Sequence, residues 1–98
     1  MNGAPQRTTI GAASAPRLAP FARLRHDAAR KRWMILAPER VLTPNAVAVA
    51  VLRLCDGRRT VEEIAHALAA DYSAPQSRIL GDVIRLLQQL ADKGVLNA

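Results

Sequence analysis

The chain has 98 residues and a net charge of +6, enough for one domain that removes roughly 60 to 65% of its unfolded-chain surface from water without a metal or a disulfide. Half of it is hydrophobic, mostly Ala, Val and Leu, and its aromatic residues are Phe21, Trp33 and Tyr72, a composition suited to helix packing and poor for a base-stacking nucleic-acid platform. The lone cysteine, Cys55, excludes an intrachain disulfide framework or a cysteine zinc site, and no apolar run approaches the roughly 20 residues that cross a bilayer, so a cytoplasmic chain with no membrane partner is expected.

Charge is unevenly distributed. Residues 1–59 hold eleven Arg/Lys against three Asp/Glu, whereas residues 60–98 hold three against five. The cationic first part favours an acidic partner: nucleic acid, an anionic surface or a Glu/Asp-containing peptide.

Residues 1–16 are rich in Ala, Gly, Thr, Ser and Pro without an apolar period, so they are expected to form a disordered tail, leaving 17–98 as the folded recognition domain. Three short strands are expected next: Phe21 to Arg25, Arg32 to Leu36, and Arg40 to Thr43. In the second, Trp33 and Ile35 face one way and Met34 and Leu36 the other, so it is apolar on both sides and should be central or covered. In the third, Val41 faces opposite to Arg40 and Leu42, and Pro44, which has no N–H to donate, ends the ladder; a short strand with a proline stop reads as an edge.

Helical spacing follows. Val47, Ala50, Val51 and Leu54 fall at i, i+3, i+4 and i+7, with Thr43 or Asn45 as N-cap and Asp56-Gly57 as the stop. Thr60 and Glu63 form a capping box for a second helix that carries Val61, Ile64, Ala65 and Leu68 and ends near Ala70. Ser73 and Gln76 repeat the cap pattern around Pro75. The third helix then carries Ile79, Val83, Leu86, Leu87 and Leu90 to about Lys93 and stops at Gly94, with Val95 and Leu96 packing back. The fold class expected is α+β and winged-helix-like: three short N-terminal antiparallel strands followed by a three-helix bundle.

Catalytic groups do not converge. His26 and His66 have no His or Cys at metal-ligand spacing, the carboxylates are unpaired, and Asp56-Gly57-Arg58-Arg59 has one glycine and no phosphate-loop pattern. No catalytic residue, metal or cofactor is expected, and Cys55 reads as a small buried hydrophobe. Two binding readings remain. A winged helix-turn-helix that reads DNA needs donors on its recognition helix and a β-hairpin wing after it. Here the helical part is net negative, and only four residues follow Gly94, so a nucleic-acid partner is not expected and DNA binding stands as the alternative. The favoured reading is strand addition, in which an extended peptide pairs with the edge at Arg40, Val41, Leu42 and Thr43 and sets side chains against the third helix at Val83, Leu86, Leu87 and Leu90. Those apolar positions also suit a core, and about two of the five on that helix would be expected to line a groove. An exposed edge also invites pairing between two copies, a homodimer.

In order and spacing, several segments resemble the pyrroloquinoline quinone biosynthesis protein D family over about residues 17–96. They are Arg23-Leu24-Arg25, Trp33 through Pro38-Glu39, Asn45 with Ala50-Val51-Leu52, and Leu54 through Asp56-Gly57-Arg58-Arg59-Thr60 to Ile64. Asp82-Val83 and Leu87 through Leu90 to Gly94 complete the set. The resemblance implies a peptide chaperone without enzymatic activity, a recognition element for ribosomally made precursor peptides. It would bind a short precursor peptide by strand addition and present it to a radical S-adenosylmethionine enzyme that cross-links a Glu and a Tyr within that peptide. The eight positions named above are those the resemblance implies for peptide binding. One departure is Pro44 before Asn45, where the family usually has Leu; on the sequence alone it ends peptide pairing at Thr43 and favours Asn45 as the helix cap.

Overall fold

The computed structural model describes residues 8–98. A three-stranded antiparallel sheet, β2 (Arg23–Asp27), β3 (Arg32–Ala37) and β4 (Arg40–Leu42), precedes three helices, α1 (Ala46–Leu52), α2 (Val61–Tyr72) and α3 (Gln76–Asp92). This is the α+β order expected. Two short strands were not anticipated: β1 (Arg17–Leu18) and β5 (Leu96–Asn97) pair antiparallel and tie the start of the domain to the segment after α3. The polypeptide after Gly94 therefore joins this ribbon and forms no wing.

The central hairpin is set by polar turn chemistry. Asp27 Oδ1 accepts from the backbone N–H groups of Ala29 and Arg30 at 3.1 and 3.2 Å, an Asx turn that reverses the chain between β2 and β3. This turn fixes β2 two residues later than expected, and Phe21 stays outside it and exposed. Opposed residues share a face in an antiparallel sheet. Leu24, Ile35 and Leu42 form one row, with Ile35 in the core cluster and the other two packed against it.

Asn45 caps α1, its Oδ1 accepting from the Ala48 N–H at 2.8 Å. The face that α1 buries is Ala48, Val49, Val51 and Leu52, and Val47, expected inside, is exposed. Past Leu52 the chain tightens, with Leu54 N–H donating to Val51 O and Cys55 N–H to Leu52 O, so Leu54 leaves the helical face that its spacing suggested. Gly57 completes the turn at φ +80°, with its N–H donating to Pro16 O at 3.0 Å. A Cβ there would lie 3.1 Å from Arg17 Cδ, so both the backbone conformation and the strand alongside call for glycine.

The capping box opens α2 as expected: Glu63 N–H donates to Thr60 Oγ1 at 3.1 Å and Thr60 N–H donates to Glu63 Oε1 at 2.9 Å. The Thr60 N–H, and after it the Thr60 hydroxyl, which donates to the same Oε1 at 3.1 Å, hold the Glu63 carboxyl below its ordinary range, and the N–H groups of Arg59 and Arg58 do the same for Asp56. A carboxyl whose pKa is lowered by folding adds stability above its unfolded value, and that contribution disappears as the pH falls through the folded one. Urea stability should therefore decline on acidification below about pH 4. Glu63→Gln, which retains the acceptor but cannot ionise, should show a shallower decline. Thr60→Ala should cost about 1 kcal/mol at neutral pH.

α2 runs to Tyr72 rather than Ala70 because no breaker intervenes before Ser73, which takes a left-handed conformation (φ 49°) and ends the helix. Ser73 is thus the stop of α2 and not the cap of α3; α3 starts after Pro75 with no side-chain cap. The core joins Ile35 to Val51, Val61, Ile64, Leu68, Val83, Leu87 and Leu90, closed by Val95 and Leu96.

Residues 1–16 were expected to be a tail. Residues 1–7 lie outside the described residues, and residues 8–16 pack along the helices: Ile10 is in the core, its N–H donates to Gln88 Oε1 at 2.9 Å, and Gln88 Nε2 donates to Thr8 O at 2.7 Å. Ser14 O accepts from Val61 N–H and Ala12 O from Glu62 N–H, so this segment satisfies donors at the first turn of α2 that the helix leaves unpaired.

Candidate functional site

β4 is an edge of the sheet, bonded to β3 on one side and to no strand on the other among the described residues. A two-residue loop, Pro38-Glu39, joins the pair Ala37 and Arg40, and Glu39 takes the positive φ (60°) that the second turn position demands. In such a hairpin the pair flanking the loop is the hydrogen-bonded one, and bonding alternates along the strand. The N–H and C=O of Val41 therefore face away from β3, toward the free edge. Its side chain is 60% exposed.

Two points relate this edge to α3. At one end Arg40 Nη1 donates to Lys93 O at 2.8 Å. At the other, Asn45, just past β4, lines a groove of about 480 Å³ with the N-terminal half of α3. Apolar side chains dominate its walls: Val47 from α1, Leu68 and Tyr72 from α2, Ile79, Val83 and Leu86 from α3. Arg78 and Asp82 add polar groups. Val47 and Tyr72 are 52% and 47% exposed, so large apolar surface is presented to water where a ligand could cover it.

Of the residues expected at the site, Val83 and Leu86 line this groove, while Leu87 is fully buried and Leu90 is 7% exposed; both belong to the core. A helix stripe is wide enough to divide in this way, with 79, 83 and 86 on one flank and 83, 87 and 90 on the other. Leu42 faces the core side of the sheet, Arg40 is held by α3, and Val41 and Thr43 are exposed. Val47, Tyr72 and Ile79 were not among the expected site residues. Neither Val47 nor Tyr72 carried a usable signal: the spacing put Val47 on the buried face of α1, and Tyr72 fell beyond the expected end of α2.

Among the described residues, groups with catalytic potential lie elsewhere and do not converge. His66 Nδ1 is 3.1 Å from Gln76 Oε1, and His26 packs on Trp33 with ring centroids 5.1 Å apart. Among the described residues no group of three or more His, Cys, Asp or Glu could hold a metal ion. Nor is any helix there long and apolar enough to cross a membrane. The Cys55 thiol donates to Val51 O at 3.3 Å, and burial, reinforced by the Asp56 charge, pushes its pKa up to about 12. Because the thiolate is the reactive form, Cys55 should react with a disulfide reagent at neutral pH far more slowly in the native protein than in urea-unfolded chains.

A free sheet edge that leads into an apolar groove between helices is the layout of a small recognition domain. Within that class, residues 32–96 match the model of the family described as coenzyme PQQ synthesis protein D (PqqD), and the chain belongs to this family. It is 51% identical over 92 residues to the PqqA binding protein of Bradyrhizobium diazoefficiens, covering 94% of this chain and 89% of the relative. It is also similar to the solution structure of the PqqD truncation of Methylobacterium extorquens PqqCD, a functional, stand-alone recognition element for ribosomally synthesised and post-translationally modified peptides. That match has a TM-score of 0.81 and 41% identity, over 94% of this chain and 98% of that one. TbiB1, solved in complex with the TbiA(beta) leader peptide, shares the fold with a TM-score of 0.73 at 21% identity, over 84% of this chain and 95% of that one.

Proposed function

We propose that this chain is a non-catalytic peptide chaperone that binds a short precursor peptide in the cytoplasm and presents it to a radical S-adenosylmethionine enzyme. The observation that carries the reading is the unpaired β4 edge, tied to the end of α3 through Arg40 and followed by Asn45 at the apolar groove. Close relatives named as PqqA binding proteins support it, as does the recognition element of the Methylobacterium protein. The peptide adds as a strand on β4, exchanging both backbone bonds with Val41 and continuing at Thr43, while its apolar side chains enter the groove at Val47, Tyr72, Ile79, Val83 and Leu86. Backbone pairing supplies sequence-tolerant affinity, and the groove supplies selection.

Titrating the isotope-labelled chain with synthetic precursor peptide tests this. Amide signals of Val41, Thr43, Val47 and residues 79–86 should shift together, and unchanged spectra at high peptide excess would refute the reading. Presentation is tested separately, by whether the radical enzyme modifies the peptide only when the chain is present.

Alternation along β4 also revises the role of Pro44. Counting from Val41, the outward backbone groups fall at Val41 and Thr43, and those of Pro44 turn toward β3. The proline thus trims the β3–β4 ladder, which ends at Leu42, and removes no donor from the free edge. Pro44→Ala should leave peptide affinity within about twofold, well under the tenfold that 1.4 kcal/mol represents. A large gain would show that pairing is limited at Pro44.

A further inference from the structure

The sheet has a second face that the peptide site does not use. Opposite the row of Leu24, Ile35 and Leu42 lie the rows Arg23–Leu36–Val41, Arg25–Met34 and Asp27–Arg32. Met34, Leu36 and Val41 take no part in the core cluster or in the apolar layer packed against it. Arg23, Arg25 and Arg32 are exposed and form no ion pair among the described residues. Arg30, Arg59 and Arg85, in contrast, each have an aspartate three residues away within 4.0 Å: Asp27, Asp56 and Asp82.

Three guanidinium groups on one small face repel one another, and the carboxylate in those rows, Asp27, which lies opposite Arg32 and is shared with Arg30, offsets only part of that repulsion. They surround apolar side chains, and Arg25, Met34 and Leu36, with Asp27 at the turn end, line a shallow depression there. A face built only for solubility would carry charge without an apolar centre. A face built for single-stranded nucleic acid would carry aromatic rings for bases, but Trp33 lies on the other side of the sheet, in tilted contact with His26 and under the Arg53 guanidinium at 5.7 Å. Guanidinium forks match carboxylates bidentately, and a methionine beside them adapts to an apolar partner.

We propose that this outer face docks a protein surface on which Asp and Glu side chains surround an apolar centre, and that this surface belongs to the enzyme receiving the peptide, an assignment that rests on the function proposed above. The geometry gives a reason for the location. A strand added at β4 extends this same face, so a partner seated on Arg23, Arg25, Met34 and Leu36 meets alternate side chains of the bound peptide directly. The peptide is then read from two sides, by the groove on one and by the enzyme on the other.

The test uses the full chain, the synthetic precursor peptide and the radical S-adenosylmethionine enzyme, each titrated separately. For the enzyme, Arg25→Glu with Arg32→Glu should weaken affinity tenfold or more, and the wild-type affinity should fall steeply with salt. The neutral variant Arg23→Gln, Arg25→Gln, Arg32→Gln should lose less than the charge reversal. Peptide affinity should remain within twofold for both variants, which also shows that they are folded. Enzyme affinity unchanged by the charge reversal overturns the proposal. So does tighter binding of a DNA duplex, of phosphatidylserine vesicles or of a second copy of the chain through the same arginines, with the enzyme unaffected. Failure of the wild-type chain to bind the peptide would instead refute the proposed function, and the enzyme titration would still report on this face independently.

Discussion

Val41→Pro is expected to abolish most peptide binding while leaving the domain folded. Proline removes the N–H that faces the free edge and blocks close approach of an added strand, but that N–H is not one of the donors that hold β4 to β3. Two backbone hydrogen bonds at about 0.5 to 1.5 kcal/mol each, net of water, total about 1 to 3 kcal/mol, a loss of about fivefold to 150-fold in affinity. The melting transition should stay cooperative, because an edge strand tolerates proline where its N–H points outward. Leu42→Pro is the internal contrast, since it removes a donor facing β3 and an apolar side chain packed against the core, and it should unfold the sheet. Calorimetric titration with the precursor peptide distinguishes the two. Wild-type affinity in Val41→Pro would mean that the peptide does not pair with this edge.

Much of this fold is legible in the sequence because local chemistry and global packing agree. Thr60 and Glu63 announce the start of α2 on their own, and the run Trp33 to Leu36, apolar on both faces, identifies the central strand. The three-residue and four-residue spacing from Ile79 to Leu90 marks the length of α3. What escaped has a physical reason in each case. β1 and β5 are two residues long, too short to carry any period, and their pairing is a long-range event. Ile10 is a single apolar residue in an Ala-, Gly- and Ser-rich segment, so its burial cannot be inferred from composition. α2 gains its last turn because Ser73 accepts a left-handed conformation that its residue type does not advertise, and that turn brings Tyr72 to the groove. Spacing also assigned Val47 to the core, although α1 is rotated to bury Ala48, Val51 and Leu52 instead. Periodicity locates a stripe but not the line along which it divides between core and groove, and that division determines the candidate site.

Leu86 and Leu87 test that division with adjacent residues. Leu87 is fully buried at the centre of the core, so Leu87→Ala removes apolar contact and leaves a cavity, at a cost of about 2 to 5 kcal/mol. That is a large share of the roughly 5 to 15 kcal/mol that stabilises a domain, and the urea midpoint should fall sharply with the slope unchanged. Leu86 is half-buried against the rim of the core and lines the groove, so Leu86→Ala should cost less stability than Leu87→Ala yet weaken the peptide complex about tenfold, the loss of much of a leucine's burial at the interface. The two variants should therefore separate: one unstable chain that binds normally when folded, and one more stable chain that binds poorly. If Leu86→Ala matched the wild type in affinity while Leu87→Ala lost binding in conditions where it stays folded, the groove would lie on the other flank of α3, and the peptide would have to displace part of the core to enter it.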